Sequence, residues 1–431
     1  MPTAAYRLPA LAVEEHAITV PLDHFGDEPG ELEVFARIVG TPGEAKPYLL
    51  YLQGGPGSEA FRPTAAHPAW LPRALRDYRV IMLDQRGTGR SSPVGRVDGR
   101  FHGTGGAQDT AGVAARLRHY RADAIVEDAE ALRRALGIER WAVLGQSFGG
   151  FTALRYLAAH PAALDLALFT GGLPRVVDER LTADGLAGPG GADPDVAHVY
   201  RVTWETMRRK SQGFCARFPA DAQRLERLAE RAAESGIALP GGIVAGPEHI
   251  RSLGHVLGTA HGAQTLHYLL DFDPDTAAFR HDAAAALPFS ARNPVYAVLQ
   301  ESCWANGVAT DWGAVRARPA GLDATWLAGE HIHPGLLASG DLAPWAEVAQ
   351  ALAERPWPLM WDPGALRTAD VPAIAAVYFD DAYVPREFSL ATAALLPHAR
   401  TWVTSEYEHD GLRASGAAVL DRLLAMAAGD A

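Results

Sequence analysis

The sequence predicts an α/β protein: a mostly parallel, doubly wound sheet interrupted by a long, mainly helical insertion. Three observations predict it. Four short runs, PYLLYLQ (47–53), YRVIMLD (78–84), RWAVLGQ (140–146) and LDLALFTG (164–171), are apolar throughout, as strands covered on both faces are. Amphipathic helical segments lie between them. The alternation of strand and helix stops near residue 172 and resumes after about residue 350. A chain of 431 residues exceeds one ordinary hydrophobic core and suits a large core with an insertion. The expected division is a core over 1–171, a helical cap over 172–350, and the rest of the core over 351–431.

Taken in order, HAITVPLDH (16–24) and ELEVFARIV (31–39) alternate in hydrophobicity around the turn-rich GDEPG and read as paired strands. DAIVEDAEALRRALG (123–137) sets Ile125, Ala129, Leu132 and Leu136 on one helical face and stops at Gly137. FTALRYLAAHP (151–161) is a second helix, ended by Pro161. The insertion carries helical patterns such as DAQRLERLAERAAESG (221–236) and the flexible, glycine-rich stretch ADGLAGPGGADPD (183–195), but hardly any buried-strand run. Beyond it, VPAIAAVYFD (371–380) and RTWVTSEYE (400–408) read as strands. The helices EFSLATAALLP (387–397) and RASGAAVLDRLLAMAAG (413–429) follow them in turn.

Composition narrows the function classes. Charged residues make up 21% and the formal net charge is −12, which argues against nucleic acid or an anionic membrane as the main partner. No stretch reaches the uninterrupted apolar length of a membrane span. MPTAAYRLPALAVEEH lacks a basic region leading into an apolar run, with Glu14 and Glu15 interrupting it early. Two cysteines, Cys215 and Cys303, form no CxxC pair and no disulfide framework. The expectation is a reduced, soluble, cytoplasmic protein, and a homo-oligomer is compatible with this composition.

The chemistry centres on GQSFGG (145–150). GxSxG is a weak pattern in a chain with 43 glycines, but here it follows a buried strand and opens a helix. A strand turning sharply into a helix exposes its apex side chain, and glycines two positions either side let the backbones pack closely. Ser147 is therefore the candidate nucleophile, and the Phe148 N–H, at a helix N-terminus, a candidate oxyanion donor. A serine hydroxyl needs a base, and the base an orienting acid. The order nucleophile, acid, histidine, each after a later strand, selects His409 after RTWVTSEYE and an aspartate in FDDAYVP. The Asp-x-x-x-Pro spacing favours Asp381 over Asp380. The loop Gln53-Gly54-Gly55-Pro56-Gly57, directly after a strand, supplies the second oxyanion donor, with the Gly55 N–H favoured.

Taken together, QGGPG (53–57), DQRGTGRSS (84–92), GQSFGG (145–150), YFDDAYVP (378–385) and EYEHDGLR (406–413) resemble the proline iminopeptidases, in order and spacing across both ends of the chain. The resemblance is to the longer form of that family. It implies an α/β-hydrolase fold and a serine peptidase that removes an N-terminal proline from short peptides through an acyl-enzyme intermediate, without a cofactor. Many members carry histidine where this chain has Gln53; the glycines that supply the backbone donor are retained. The resemblance also implies that cap glutamates bind the free amine. Glu301, in NPVYAVLQESCWANG, and Glu330, in LAGEHIHP, sit in segments similar to those regions, and Glu205, in VTWETM, is a third candidate. An esterase or amidase with the same triad and a non-peptide acyl substrate is the alternative.

Two further patterns carry no site. His331-x-His333 lacks a nearby third ligand for a metal, and GTGR (87–90) completes neither glycine-rich phosphate motif. Asp84-Gln85-Arg86-Gly87 is expected to build the loop under the serine, with Arg86 holding it through buried hydrogen bonds.

Overall fold

The computed structural model describes residues 2–178 and 193–430. Most of the glycine-rich stretch 183–195 lies outside the described residues.

Among the described residues nine strands form one sheet: β1 (Ala4–Leu8), β2 (Leu11–Pro21), β3 (Glu31–Gly40), β4 (Tyr48–Leu52), β5 (Arg79–Asp84), β6 (Trp141–Gln146), β7 (Leu164–Thr170), β8 (Ala373–Tyr378) and β9 (Ala399–Thr404). Their spatial order is β1-β2-β3-β5-β4-β6-β7-β8-β9. The first three pair antiparallel, β3 pairs antiparallel with β5, and every later neighbour is parallel. No strand between β7 and β8 joins this sheet among the described residues.

The parallel strands are buried on both faces because their alternate residues enter two separate apolar layers. Leu50, Leu52, Val143 and Phe169 point into one layer, with Ile125 and Leu132 of helix α1 (Ala122–Ala135) and Phe151 and Leu154 of helix α2 (Phe148–Ala159). Leu49, Tyr51, Leu144 and Ile374 point into the other, with Trp70, Leu71, and Leu420 and Leu423 near the C-terminus. Each fully buried Leu or Ile side chain contributes about 1.5–3 kcal/mol of transfer free energy, so both layers are needed to hold the sheet.

The insertion is helical, as its lack of buried-strand runs predicts. It holds α3 (Ala197–Arg217), α4 (Pro219–Ser235), a turn of 3-10 helix at Leu253–Gly258, α5 (Pro294–Leu299) and further short helices. Its only strands among the described residues are the two-residue pair Ile237–Ala238 and Val244–Ala245. The chain then returns to the sheet through β8, α6 (Arg386–Ala393), β9 and α7 (Ala418–Ala428). Among the described residues no helix is long and apolar enough to cross a membrane.

Three boundaries differ from the sequence expectation. β1 and the first half of β2 lie ahead of HAITVPLDH: AAYRL is an exposed edge strand held by backbone pairing to β2, without the alternating pattern of a half-buried strand. β9 ends at Thr404 instead of running to Glu408, which frees the residues before His409 as a loop. The closing helix is split into Gly411–Ala414 and Ala418–Ala428, with Gly416 at φ +62° between them.

Parallel register brings the strand ends together. Leu52 pairs with Gly145, and Thr170 lies opposite both Gln146 and Ala376, while Tyr378 pairs with Thr404. The loops leaving these ends carry Gly55, Ser147, Gly171, Asp381 and His409, at the carboxyl edge where open α/β sheets bind ligands.

Candidate active site

Ser147 is the turn between β6 and α2, with φ +56° and ψ −128°, a conformation that L residues rarely adopt. The glycines around it have specific steric reasons. A Cβ on Gly145 would stand 2.4 Å from the Gly149 carbonyl oxygen, one on Gly149 1.9 Å from that of Leu52, and one on Gly150 2.3 Å from that of Gly172. The elbow is therefore packed backbone to backbone against the neighbouring strand ends. Ser147 N–H donates to Thr170 O (3.1 Å), and its side chain stands at the N-terminus of α2, whose first N–H groups lack intrahelical partners.

The Gln53–Gly57 loop runs alongside the elbow. A Cβ on Gly54 would lie 3.1 Å from Ser147 Cβ, and Gly55 adopts φ +130°. Gln85 fixes the loop: its Nε2 donates to Gln53 O at 2.6 Å, and its Oε1 accepts from Gly57 N at 3.4 Å. Tyr51 OH donates to Gln53 Oε1 (2.6 Å). The adjoining turn is anchored as expected. Arg86 Nε donates to Asp128 Oδ2 at 2.7 Å in a fully buried pair, and its Nη1 donates to the Leu22 and His119 carbonyls, each at 2.8 Å.

Asp381 and His409 meet from consecutive strand ends. Asp381 Oδ2 lies 2.7 Å from His409 Nδ1, and Asp381 Oδ1 accepts the Tyr383 and Val384 N–H groups at 2.9 and 3.0 Å. Both side chains are buried. Asp380, by contrast, has a side chain 55% exposed, with Arg209 at 3.8 Å, so Asp381 is the residue paired to the histidine. With Nδ1–H donated to a carboxylate, Nε2 keeps its lone pair, and Nε2 is buried with no hydrogen-bond partner among the described residues. Burial lowers the affinity of His409 for a proton, but the Asp381 charge and hydrogen bond, with the Glu330 charge, raise it above its ordinary value. The Gly171–Gly172 turn lies between acid and serine: a Cβ on Gly171 would be 3.2 Å from Asp381 Oδ2, and one on Gly172 3.2 Å from Ser147 N.

The three glutamates separate cleanly. Glu330 is half-buried and accepts a hydrogen bond from the Tyr296 hydroxyl. Burial raises its carboxyl above the ordinary value, against the pull of the His409 charge and of hydrogen bonds from Tyr296 and Gln300. It forms no ion pair with Lys or Arg among the described residues. Glu301 is buried, and backbone groups engage its carboxylate. Its carboxylate accepts Gly313 N–H (3.1 Å) and Ala314 N–H (2.8 Å), and desolvation pushes its carboxyl up to about 7. Its acceptor positions thus cap a short helix. Glu205 lies on the surface of α3, 46% exposed and paired with Arg208 at 2.5 Å.

Tyr296 and Gln300 were not anticipated. They are four residues apart, so they share a helical face, and both reach Glu330. Gln300 also accepts from Tyr200 OH at 2.7 Å. Glu301, one residue on, is rotated off that face. The start of α5 packs on the Gln53–Gly57 loop: a Cβ on Gly57 would stand 2.8 Å from Val295 Cβ and 2.9 Å from Tyr296 N. His331 and His333 have packing roles. His331 Nε2 meets Thr203 Oγ1 at 3.0 Å and its Nδ1 accepts Gly329 N–H at 3.0 Å, while His333 Nδ1 accepts Gly335 N–H at 2.9 Å.

Comparisons with known proteins bear on the family and the fold. A family model for the alpha/beta hydrolase fold matches residues 47–237. A proline iminopeptidase of Aeromonas sobria is 37% identical over 437 residues, covering 97% of this chain and 97% of that one. A proline iminopeptidase of Aspergillus aculeatus is 30% identical over 441 residues, covering 96% of this chain and 93% of that one.

Proposed function

The chain belongs to the proline iminopeptidase family, within the α/β-hydrolase fold, and from that premise we propose that it is a serine aminopeptidase releasing N-terminal proline from short peptides. Ser147 Oγ attacks the carbonyl carbon of the proline residue. His409 Nε2 takes the hydroxyl proton and delivers it to the departing amine, and Asp381 orients the ring and stabilises its charged form. The N–H groups of Gly55 and Phe148 stabilise the oxyanion. Water then hydrolyses the acyl-enzyme with the same base. No cofactor takes part.

One observation carries the peptidase reading over an esterase: Glu330 is a half-buried carboxylate without a cationic partner among the described residues, close enough to His409 for their charges to interact. A carboxylate in that setting is stabilised by a ligand cation, and the ammonium of an N-terminal proline supplies one. Tyr296 and Gln300 hold the carboxylate in place. In this reading residues 172–350 act as a cap that excludes longer N-terminal extensions, with 1–171 and 351–431 as the core. The unpaired Cys215 and Cys303 support a reducing, cytoplasmic setting.

Hydrolysis of Pro-p-nitroanilide, compared with its N-acetylated form, tests this reading. Turnover of the free-amine substrate and at least about 10²-fold less of the acetylated one is expected, the scale of a lost charge-assisted contact. Equal rates would refute recognition of the amine.

A further inference from the structure

His409 sits on a loop between β9 and the closing helices, and a loop of this kind holds a ring in catalytic register only when neighbours fix it. Here the neighbours come from the insertion. The Gly258 carbonyl, at the end of the Leu253–Gly258 turn, accepts the His409 backbone N–H at 3.1 Å. Ala260 N–H donates to Asp410 Oδ1 at 3.0 Å. Lys210 of α3 pairs with Glu408 at 2.5 Å. The residues on either side of the histidine, and the histidine itself, are therefore each tied to the insertion.

Tyr383 joins these ties to the acid. Its ring stacks on His255, with centroids 5.0 Å apart and planes at 20°, and meets the His409 ring at 4.8 Å and 84°. Its hydroxyl donates to the His255 carbonyl, and its backbone N–H donates to Asp381 Oδ1. One residue thus touches the acid, the base and the turn. The contact is close enough to require glycine at 258, where a Cβ would stand 2.2 Å from the Tyr383 hydroxyl oxygen.

We propose that Tyr383 and the Leu253–Ala260 segment position His409 for proton transfer, so that the insertion completes the triad in addition to selecting substrate. Tyr383 is a positioning residue: it acts through His409 and Asp381. The proposal rests on the reading of Ser147, Asp381 and His409 as the triad.

The test separates triad competence from substrate recognition. A small alkyl fluorophosphonate needs the serine, its base and the oxyanion hole, but has no amine for the cap to bind. Its rate of reaction with the full chain is measured beside kcat and KM on Pro-p-nitroanilide, for wild type, Tyr383→Leu, Tyr383→Phe and Asp410→Ala. Tyr383→Leu is expected to lower kcat and the phosphonylation rate together by about 10- to 100-fold, the scale of a displaced catalytic group, with KM within about twofold. Tyr383→Phe keeps the ring and is expected to restore both to within about fivefold of wild type. Asp410→Ala removes only the tie to Ala260 and provides the same reading if Tyr383→Leu does not fold, with both rates falling at least about threefold. Unchanged phosphonylation in Asp410→Ala and in folded Tyr383→Leu, whatever happens to peptide turnover, overturns the proposal. Failure of the triad reading looks different: wild type would not be labelled, or Ser147→Ala would be.

Discussion

His409 Nδ1 and Asp381 Oδ2 are 2.7 Å apart, and both side chains are withdrawn from water. The two residues leave adjacent parallel strands, β8 and β9, and the second Asp381 oxygen is occupied by two backbone N–H groups. The carboxylate therefore has one free direction, and the histidine fills it. Asp381→Asn keeps the shape but favours the wrong tautomer, and kcat is expected to fall by about 10³- to 10⁴-fold with little change in KM. Asp380→Asn, at an exposed position, is expected to stay within about twofold on the same p-nitroanilide assay.

Amine recognition should reside in Glu330 alone among the three glutamates. Glu330→Gln is expected to lower kcat/KM on Pro-p-nitroanilide by about 10²-fold while fluorophosphonate labelling persists. Glu205→Gln only trades a surface ion pair and should change neither by more than about twofold. A comparable loss in Glu205→Gln would contradict this assignment.

The pH dependence follows from the groups around His409. The base works unprotonated, so kcat/KM should rise with pH through a midpoint above the ordinary histidine value of 6.5. Asp381 and Glu330 raise that midpoint, and Arg413 opposes them. Glu330→Gln should move the acid limb downward, measured on an uncharged ester. The same shift adds stability that is full below 6.5 and is lost as pH rises through the folded value. A limb at or below 6.5, unmoved by Glu330→Gln, would contradict the account.

Glu301 predicts a change in stability rather than activity. Burial lifts its carboxyl from an ordinary value of 4.5 to about 7, so folding takes up a proton over that window. Its contribution is most favourable below 4.5 and is lost as pH rises to about 7. In thermal melts across that range, Glu301→Gln should show a flatter dependence of Tm on pH than wild type. Identical slopes would remove the buried carboxyl from the explanation.

The close-packed elbow predicts that Gly149→Ala is not tolerated. Its Cβ would fall 1.9 Å from the Leu52 carbonyl oxygen, which neither strand nor helix can yield without moving the oxyanion loop. A loss of more than about 3 kcal/mol in urea unfolding, with loss of labelling, is expected. Breaking the buried Arg86–Asp128 pair by Asp128→Ala should cost about 3–5 kcal/mol in the same measurement.

The parallel strands and the Asp381–His409 pairing were legible because both are local signals in a fixed order. Apolar runs mark strands with two covered faces, and Ser147, Asp381 and His409 each follow one of them. β1 left no such signal, since an exposed edge strand is held by backbone pairing. The surface ion pairs of Glu205 are legible in the sequence, because Arg208 and Arg209 lie three and four residues on along a helix. For Glu301 and Glu330 the sequence shows only that acids stand beside aromatic residues. Which one lies within charge reach of His409 depends on how the insertion seats Val295 and Tyr296 against Gly57, a contact between distant segments. Tyr383 was illegible for the same reason: its hydroxyl partner, His255, is 128 residues away in the chain.

The central claim, that Ser147 is the nucleophile of an aminopeptidase that requires a free N-terminal proline, is tested most directly by covalent trapping. A diaryl phosphonate analogue of proline, free and N-acetylated, is incubated with the protein, and the adduct is mapped by peptide mass spectrometry. The account predicts a single adduct on Ser147 from the free-amine reagent, absent in Ser147→Ala and strongly reduced with the acetylated reagent. An adduct on another residue, or equal modification of Ser147 by both reagents, would contradict it.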